Sequence, residues 1–309
     1  AGWDETRWDD PSLPDRTWFR CVEDRPAIAW RCDRHAVVVN EAVLGMLDIP
    51  GDEVMARRGG HVMRDGHGQP TGLMAEAAAW EMVNPLVPPL ALAHRVKALE
   101  RACTHLLELG ITALRTMEYR RDVEAILMPR ADTLPLRLSV VQLDRVLPLE
   151  LDWIRNAPAT DRFRITGCKS FFDGTLGSRT ARLRSPYADD PSTRGTWTEH
   201  ALRDEDGAWA QAVSEAGLAP VIHAIGDEAV CRAASVLQAI DPALRPTVEH
   251  AEIVDARDLG LLEGLRTSVQ PVHRADDAHM APERLGDDRA GRVLPLRDMI
   301  DAGALMSFG

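Results

Sequence analysis

The chain has 309 residues, of which 45% are hydrophobic, and its 36 basic and 48 acidic side chains give a formal net charge of −12. Such a chain can bury a core of one large α/β domain or two small ones, which excludes a largely disordered protein. The acidic residues are spread along the sequence rather than clustered in blocks. This net negative charge argues against a nucleic-acid or anionic-membrane partner and favours a soluble protein.

Cysteine usage predicts a reducing compartment. The five cysteines lie far apart and form no C-x-x-C pair. No apolar stretch approaches the ~20 residues of a membrane span, and the first residues lack the basic and apolar regions of a signal peptide. We therefore expect a cytoplasmic protein.

The first part of the chain shows little regular periodicity. Residues 1–26 are predicted to be a loop-rich lead-in, followed by a short strand at 27–31 and a helix over the apolar run 37–47. His35 would then lie at a strand-to-helix turn, where active-site residues are common. A plain surface histidine is the alternative.

A β-hairpin is predicted over residues 59–72, because Asp-Gly and His-Gly dipeptides interrupt short β-prone pieces. His61 and His67 are interpreted as hairpin and turn residues rather than ligands. Residues 1–90 are thus predicted to be a loop-rich segment with one hairpin, preceding a regular α/β region at 91–309.

From residue 91 the pattern becomes regular. A helix is predicted over 91–109, with Gly110 as the residue that stops it. Strands and helices then alternate. The predicted strands are at 111–117, 136–142, the stretch that ends in Lys169, 219–222, 247–249, 267–270 and 304–308. The predicted helices are at 120–130, 148–156, 199–216 and 227–240, with one more ending near Gly264 and one before the last strand.

Seven strands alternating with helices predict a parallel sheet covered by helices. Such units close readily into a (β/α)₈ TIM-type barrel, and a doubly wound open sheet is the main competitor. No glycine-rich phosphate loop follows any strand, and metal-capable residues end successive strands. Both observations favour an α/β fold of the barrel type, incomplete at about seven strands.

Three strand ends carry the candidate chemistry: Lys169, His223 and His250. Neutral imidazoles are good ligands for first-row metals, although two such histidines also fit a hydrogen-bonded core pair. A lysine ammonium has no lone pair, so Lys169 would ligate only after carbamylation by CO₂. The alternative is an ion pair between Lys169 and Asp173 or another acid at the barrel mouth.

Several long motifs in the same order resemble the amidohydrolase superfamily. The similarity is strongest to its branch of YtcJ-like and N-substituted-formamide-deformylase-like proteins, and it covers nearly the whole chain. The similar regions include the Trp-rich start of the chain and the D-R-H segment from Asp33 to His35. The motifs are K-x-F-x-D-G-T-L-G-S-R-T-A at 169–181, A-P-V-I-H-A-I-G-D-E-A at 219–229, V-E-H-A at 248–251, S-V-Q-P at 268–271 and R-D-G-H-G-Q-P-T-G at 64–72.

The resemblance implies a metal-dependent barrel flanked by a small β-sandwich, which hydrolyses a C–N bond in an amide, formamide or cyclic amide. By position, Lys169 would be a carboxylated lysine bridging two divalent ions, with zinc the default metal, and His223 and His250 would be further ligands. The substrate would be a small molecule.

Four other residues are assigned to substrate binding or to the orientation of ligands: His35, Asp173, Arg179 and His273. The alternative for Asp173 and Arg179 is that they pair with each other to hold their loop. Asp227 is interpreted as a cap of the following helix.

The sequence departs from the family at two points. The family's first barrel strand ends in H-x-H, which occurs nowhere here, and the chain stops at Gly309, just before the expected aspartate ligand and general base. We therefore expect a fragment of a longer amidohydrolase, without the first strand and the β-sandwich. It would be inactive, bind metal weakly or not at all and leave Lys169 uncarboxylated, and an open strand edge would favour a homodimer.

Two other functions compete with the hydrolase. A regulatory or binding protein would retain the barrel without a working metal site. An amine-removing deaminase on the same scaffold would need a mononuclear site and would give Lys169 no ligand role. Substrate specificity depends on pocket shape.

Overall fold

The computed structural model describes residues 2–10, 12–143 and 148–309, which form two sheets with their covering helices. The lead-in contains 3-10 turns at Glu5–Arg7 and Arg16–Val22. The first sheet is antiparallel, with its four strands in the order β1-β2-β4-β3. The strands are β1 Ile28–Trp30, β2 Ala36–Val39, β3 Gly60–Arg64 and β4 Pro70–Glu76.

The predicted helix over 37–47 is wrong in its first part. Residues 37–39 are three valines in β2, buried in the middle of the small sheet, and only Glu41–Leu44 is helical. β-Branched side chains favour a strand over a helix, and a run buried on both faces does not alternate. His35 consequently precedes a strand. The hairpin prediction is confirmed by the antiparallel pairing of β3 and β4.

The second sheet contains seven strands in the order β11-β10-β9-β8-β7-β6-β5, and every pair is parallel. This confirms the α/β class and the incomplete barrel. The strands are β5 Ala113–Glu118, β6 Arg137–Leu143, β7 Phe163–Phe171, β8 Ala219–Ala224, β9 Thr247–His250, β10 Arg266–Val269 and β11 Leu305–Phe308.

The seven-stranded sheet is curled rather than flat. Arg115 on β5 donates to Thr247 on β9 over 3.2 Å and forms an ion pair with the buried Glu249. These strands are four positions apart in the sheet order, so their side chains meet only because the sheet bends toward a barrel. The strands therefore curl around a common interior.

Twelve α-helical segments are found in the described ranges. They are α1 Glu41–Leu44, α2 Asp52–Ala56, α3 Leu92–Glu108, α4 Arg120–Asp122, α5 Asp152–Arg155, α6 Glu199–Leu202, α7 Asp206–Glu215, α8 Asp227–Gln238, α9 Pro271–Asp277, α10 Ala281–Leu285, α11 Asp287–Ala290 and α12 Leu296–Asp301. Further 3-10 turns are Asn84–Leu86, Met128–Arg130, Pro242–Leu244 and Ala256–Leu262, and π turns are Ala78–Val83 and Val123–Leu127.

The predicted helix over 199–216 is two helices, α6 and α7, and the helix expected before Gly264 is the 3-10 turn Ala256–Leu262. The largest buried cluster includes Phe172 and Trp209 and lies between the large sheet and its helices. Across the described ranges, no helix has the length and apolar character of a membrane span.

Candidate active site

Four imidazole rings form a row at the convergent strand ends. The ring centroids of His35 and His223 are 5.2 Å apart, those of His223 and His250 are 4.6 Å apart, and those of His250 and His273 are 5.8 Å apart. The predicted ligand histidines are the two in the middle. The two histidines predicted to bind substrate are the outer ones.

Local backbone geometry positions the inner pair. His223 is the penultimate residue of β8 and is 2% exposed. His250 is the last residue of β9 and has a φ of +73°, in the left-handed region that non-glycine residues rarely adopt. Such backbone strain is concentrated at functional sites, which agrees with the predicted role of His250.

Both inner imidazoles are neutral with a defined tautomer. Burial is the main cause that lowers the pKa of His223 and of His250 well below the usual value, and the Lys169 charge acts in the same direction. His223 Nε2 donates to the Gly174 carbonyl over 3.1 Å, and His250 Nδ1 donates to Gln270 Oε1 over 2.7 Å. Each ring therefore keeps one nitrogen lone pair for a ligand.

Lys169 lies on β7 beside these rings and is only 4% exposed. Its Nζ is 3.3 Å from Met117 Sδ and 4.8 Å from the Phe171 ring centroid. The Phe171 ring is in turn 5.0 Å from that of His223. The structure thus brings the predicted lysine and histidines together.

His35 contacts an acid that the sequence interpretation missed. Its Nδ1 is 3.0 Å from Glu76 Oε2 and 3.1 Å from Oε1, and both side chains are buried. His35 is therefore not a plain surface residue. Glu76 ends β4 with a φ of +53°. An acid within the apolar run 73–79 is the sequence signal that could have revealed it.

Asp173 and Arg179 do not pair with each other. Asp173 is fully buried and accepts the backbone N–H groups of Ile225, Gly226 and Arg182 over 2.8–3.0 Å. Burial raises the pKa of Asp173 to about 8, whereas these three donors act in the opposite direction. Its contacts fit a loop-holding role.

Arg179 instead forms an ion pair of 2.7 Å with Asp189. The loop-holding alternative thus named the wrong partner for Arg179. The predicted cap is also wrong, because Gly226 precedes α8, and Asp227 Oδ1 accepts the Arg184 N–H.

His273 ends the row and is partly open to solvent. Its Nδ1 is 3.6 Å from Glu252 Oε2, and the interaction with Glu252 raises the pKa of the imidazole. A cavity of about 680 Å³ lies at the His35 end of the row and is also lined by Glu76, Trp80 and Phe171. A second cavity of about 490 Å³ includes His273 in its lining. The row thus runs from one cavity to the other.

The residues at the centre of the row have the donor types that a divalent metal prefers, but they are fewer than the ligands of a complete metal site. His223 and His250 each present a lone pair, and a carboxylated Lys169 would add oxygen donors. Within residues 2–10, 12–143 and 148–309, no three His, Cys, Asp or Glu side chains form a group that could hold an ion. The site therefore fits part of a metal centre.

The sequence profile of the amidohydrolase family matches residues 1–309. The chain belongs to the amidohydrolase family. This assignment agrees with the resemblance of its motifs and with the parallel sheet whose strand ends carry Lys169, His223 and His250.

Two curated relatives are similar over the whole chain. Protein LONG AFTER FAR-RED 3 of Arabidopsis thaliana is 28% identical over 338 residues, and YtcJ of Bacillus subtilis, which carries an amidohydrolase name, is 28% identical over 332 residues. The chain spans 56% of the first relative and 59% of the second.

Two solved structures are also similar to the whole of this chain. An uncharacterized metal-dependent hydrolase from Pyrococcus horikoshii is 28% identical with a TM-score of 0.72, and all of this chain covers 60% of that one. A second, from Pyrococcus furiosus, is 26% identical with a TM-score of 0.69, and all of this chain covers 62% of it.

Proposed function

We propose that the whole protein is a metal-dependent hydrolase that cleaves a C–N bond in an amide, formamide or cyclic amide. The neutral imidazoles of His223 and His250 beside the buried Lys169 are the observation that carries this proposal, and family membership supports it. The metal-dependent hydrolases of known structure that resemble the chain over its full length add support for the reaction class.

In this proposal Lys169, His223 and His250 contribute to a site for two divalent ions, with zinc as the expected metal. Carboxylation joins the lysine nitrogen to the carbon of CO₂ and releases a proton, which creates an anionic group with two oxygen donors. Bound divalent ions lower the pKa of a water to about 7 and polarise a carbonyl. Gln270 fixes the tautomer of His250, which leaves Nε2 free to bind.

The outer histidines would contact the substrate from opposite sides. Glu76 orients His35 toward the larger cavity, which Trp80 and Phe171 line with aromatic surface. His273 faces the other cavity. Apolar walls with a few fixed polar groups are typical of small-molecule sites.

The test compares metal content and hydrolysis in the whole protein and in the Lys169→Ala variant, using an N-substituted formamide, a linear amide and a cyclic amide. We expect two ions in the wild type. The variant should lose at least one ion and about 100-fold or more in kcat/KM. Lys97→Ala is the matched control, because Lys97 is exposed on α3. Full metal content and turnover in Lys169→Ala would refute the assignment.

We also propose that the 309 residues by themselves bind metal weakly, keep Lys169 uncarboxylated and do not catalyse hydrolysis. Tight structural and catalytic sites use three or four protein ligands, whereas in the described ranges no three His, Cys, Asp or Glu side chains form a group that could hold an ion. Elemental analysis that finds two tightly bound ions in this chain, together with hydrolysis, would contradict this. A whole protein without metal or turnover would instead favour the regulatory or binding function.

A further inference from the structure

A cavity of about 370 Å³, here called the hairpin cavity, lies on one face of the four-stranded sheet. Ala36, Ala75 and His61 form its floor and are aligned across three neighbouring strands. Ala75 on β4 pairs with Ala36 on β2 and with His61 on β3. Two adjacent alanines leave a depression in the sheet that larger side chains would fill. The four histidines of the row are not part of its lining, so the cavity is separate from the candidate active site.

The walls of the hairpin cavity are largely apolar. Trp3 and Leu73 are buried in the wall, whereas Leu13 and Met63 are 48% and 41% exposed and are the parts of the wall that reach the surface. Protein interiors contain few voids larger than a water molecule, and apolar voids stay dry because water finds no hydrogen-bond partners in them. A cavity of this size and lining therefore fits a small molecule better than it fits solvent.

The charged groups of the wall are already engaged within the protein. The Arg31 guanidinium is 2.9 Å from Glu5, and that of Arg179 is 2.7 Å from Asp189. The Asp190 carboxylate accepts a backbone N–H over 3.1 Å and a hydroxyl over 2.6 Å, both from the residue two positions later. An ion that entered the cavity would give up its hydration, and these groups already have their partners, so the lining favours a neutral ligand.

His61 supplies the polar contact that remains. No residue that the structure describes is hydrogen-bonded to its ring. Burial lowers the pKa of the imidazole, although the Glu76 charge acts in the opposite direction. The ring is therefore neutral near pH 7, with one N–H donor and one acceptor nitrogen. A ligand with a single hydroxyl or N–H group would satisfy the acceptor nitrogen.

We propose that the hairpin cavity binds a neutral aromatic molecule of about two fused rings that carries one hydroxyl or N–H group. Its rings would lie on Ala36 and Ala75, and its polar group would bond to His61. The size follows from the volume, since an apolar cavity of about 150 Å³ accepts a single benzene ring. Residues 177–180, in the loop that follows the Lys169 strand, also line the cavity, so the ligand would contact that loop directly. The inference is independent of the proposed hydrolase.

The test is isothermal titration of the 309-residue chain at neutral pH with 2-naphthol, and with 2-naphthoate and 2-naphthylmethylammonium as charged analogues. We expect saturable binding of 2-naphthol, and binding at least about tenfold weaker for both charged analogues. Ala75→Leu should weaken 2-naphthol binding at least about tenfold, because the added atoms occupy the cavity. Ala36→Val should weaken it about threefold or more, which covers the case in which Ala75→Leu fails to fold.

His61→Phe keeps a ring in place and removes its hydrogen bond. It should weaken the binding of 2-naphthol about threefold or more and leave that of naphthalene, which has no polar group, unchanged. His67→Phe is the matched control, since it makes the same change at an exposed turn and should leave both affinities unchanged.

Three results would each overturn the proposal: equal affinity for a charged analogue, unchanged 2-naphthol affinity in folded Ala75→Leu or His61→Phe, and no saturable binding of 2-naphthol below about 1 mM. A loss of affinity in Trp80→Leu as large as that in Ala75→Leu would overturn it as well. Trp80 lines the larger cavity, so that result would place the ligand there instead.

Discussion

His200 is a buried histidine whose surroundings disfavour its charged form. It stacks on Trp209 with 5.5 Å between ring centroids, and in the described ranges neither ring nitrogen has a hydrogen-bond partner. Burial, followed by the Arg203 charge, lowers the pKa of His200 to about 4. The unfolded chain takes up this proton near pH 6.5, so folding stability is complete above that pH and falls as the pH approaches 4.

We predict that His200→Gln reduces the acid sensitivity of the free energy of unfolding. The two pKa values predict that the wild type loses about 2–3 kcal/mol from this group between pH 7 and pH 4. Urea unfolding at several pH values measures the difference between the two proteins. His67→Gln, at an exposed turn, is the control and should follow the wild type. Parallel pH profiles for wild type and His200→Gln would show that His200 does not titrate in this way.

Gly174 lies where a side chain would collide with the candidate site. A Cβ there would overlap with Glu76 Oε1 and Thr180 Oγ1, and the Gly174 carbonyl accepts the His223 hydrogen bond. We predict that Gly174→Ala lowers the free energy of unfolding by about 1–3 kcal/mol, because the packing around it is tight. Gly207→Ala should be neutral or stabilising by up to about 1 kcal/mol, since it lies in α7 with nothing nearby. Thermal unfolding of both variants tests this, and equal effects would contradict it.

At the level of single residues, the sequence predicted which residues form the centre of the candidate site, and it missed the residues that support them. Lys169, His223 and His250 were predicted to lie close together because parallel strands bring their carboxyl ends together. Glu76 and Gln270 were missed because their roles depend on contacts across the fold: Glu76 comes from another sheet, and Gln270 from the next strand end. No local pattern specifies such contacts.

At the level of elements, the regular alternation of strands and helices was predictable, and the exceptions have a local cause. The strands from β5 to β11 agree with the predicted ones because each is a short β-prone run bounded by helices or turns. The run 37–47 was misread because its valines are buried on both faces. The tilt and curl of the large sheet come from long-range packing, which no local pattern encodes.

The loop after β7 is held to the N-terminal segment by one carboxylate. Asp33 accepts the hydroxyls of Thr175 and Ser178 over 2.7 and 2.6 Å and pairs with Arg31 over 2.6 Å. Burial is the largest single cause and acts to raise the pKa of Asp33, but the Arg31 charge and the hydrogen bonds that Asp33 accepts together outweigh it, so the pKa is lowered. This carboxylate therefore keeps its charge and positions the loop that leads into Arg179.

We predict that Asp33→Ala lowers the free energy of unfolding by about 2–4 kcal/mol, because it leaves two hydroxyls and a buried guanidinium without this acceptor. Asp161→Ala, at an exposed position, should change it by less than about 0.5 kcal/mol. Urea unfolding gives the free energies, and limited proteolysis should show earlier cleavage within 174–185 in Asp33→Ala alone. A loop equally resistant in both variants would rule out the proposed clamp.

At the level of the whole molecule, β11 forms one edge of the large sheet and exposes apolar surface. Leu305 is 55% exposed and Phe308 is 63% exposed. An edge strand with exposed hydrophobic side chains is a template for pairing with another chain. We predict concentration-dependent dimers in sedimentation velocity at tens of micromolar, which a Leu305→Lys and Phe308→Lys double variant abolishes.

Leu90→Lys is the control for this prediction, because Leu90 is 67% exposed and lies outside the sheet, in the loop before α3. It should leave the dimer intact. A wild type that stays monomeric over the whole concentration range would contradict the prediction, and so would equal loss of the dimer in Leu90→Lys.

The contact of Arg115 with Glu249 has a consequence for the order of folding. The two residues are 134 positions apart in the chain, so a ribosome makes Arg115 long before its partner. Strands β5 to β8 can pair as they emerge, each next to its predecessor, but the curvature is secured only when β9 has been synthesised. We expect the nascent chain to pass through a flatter, less protected sheet, with the Arg115 side chain in water until that moment.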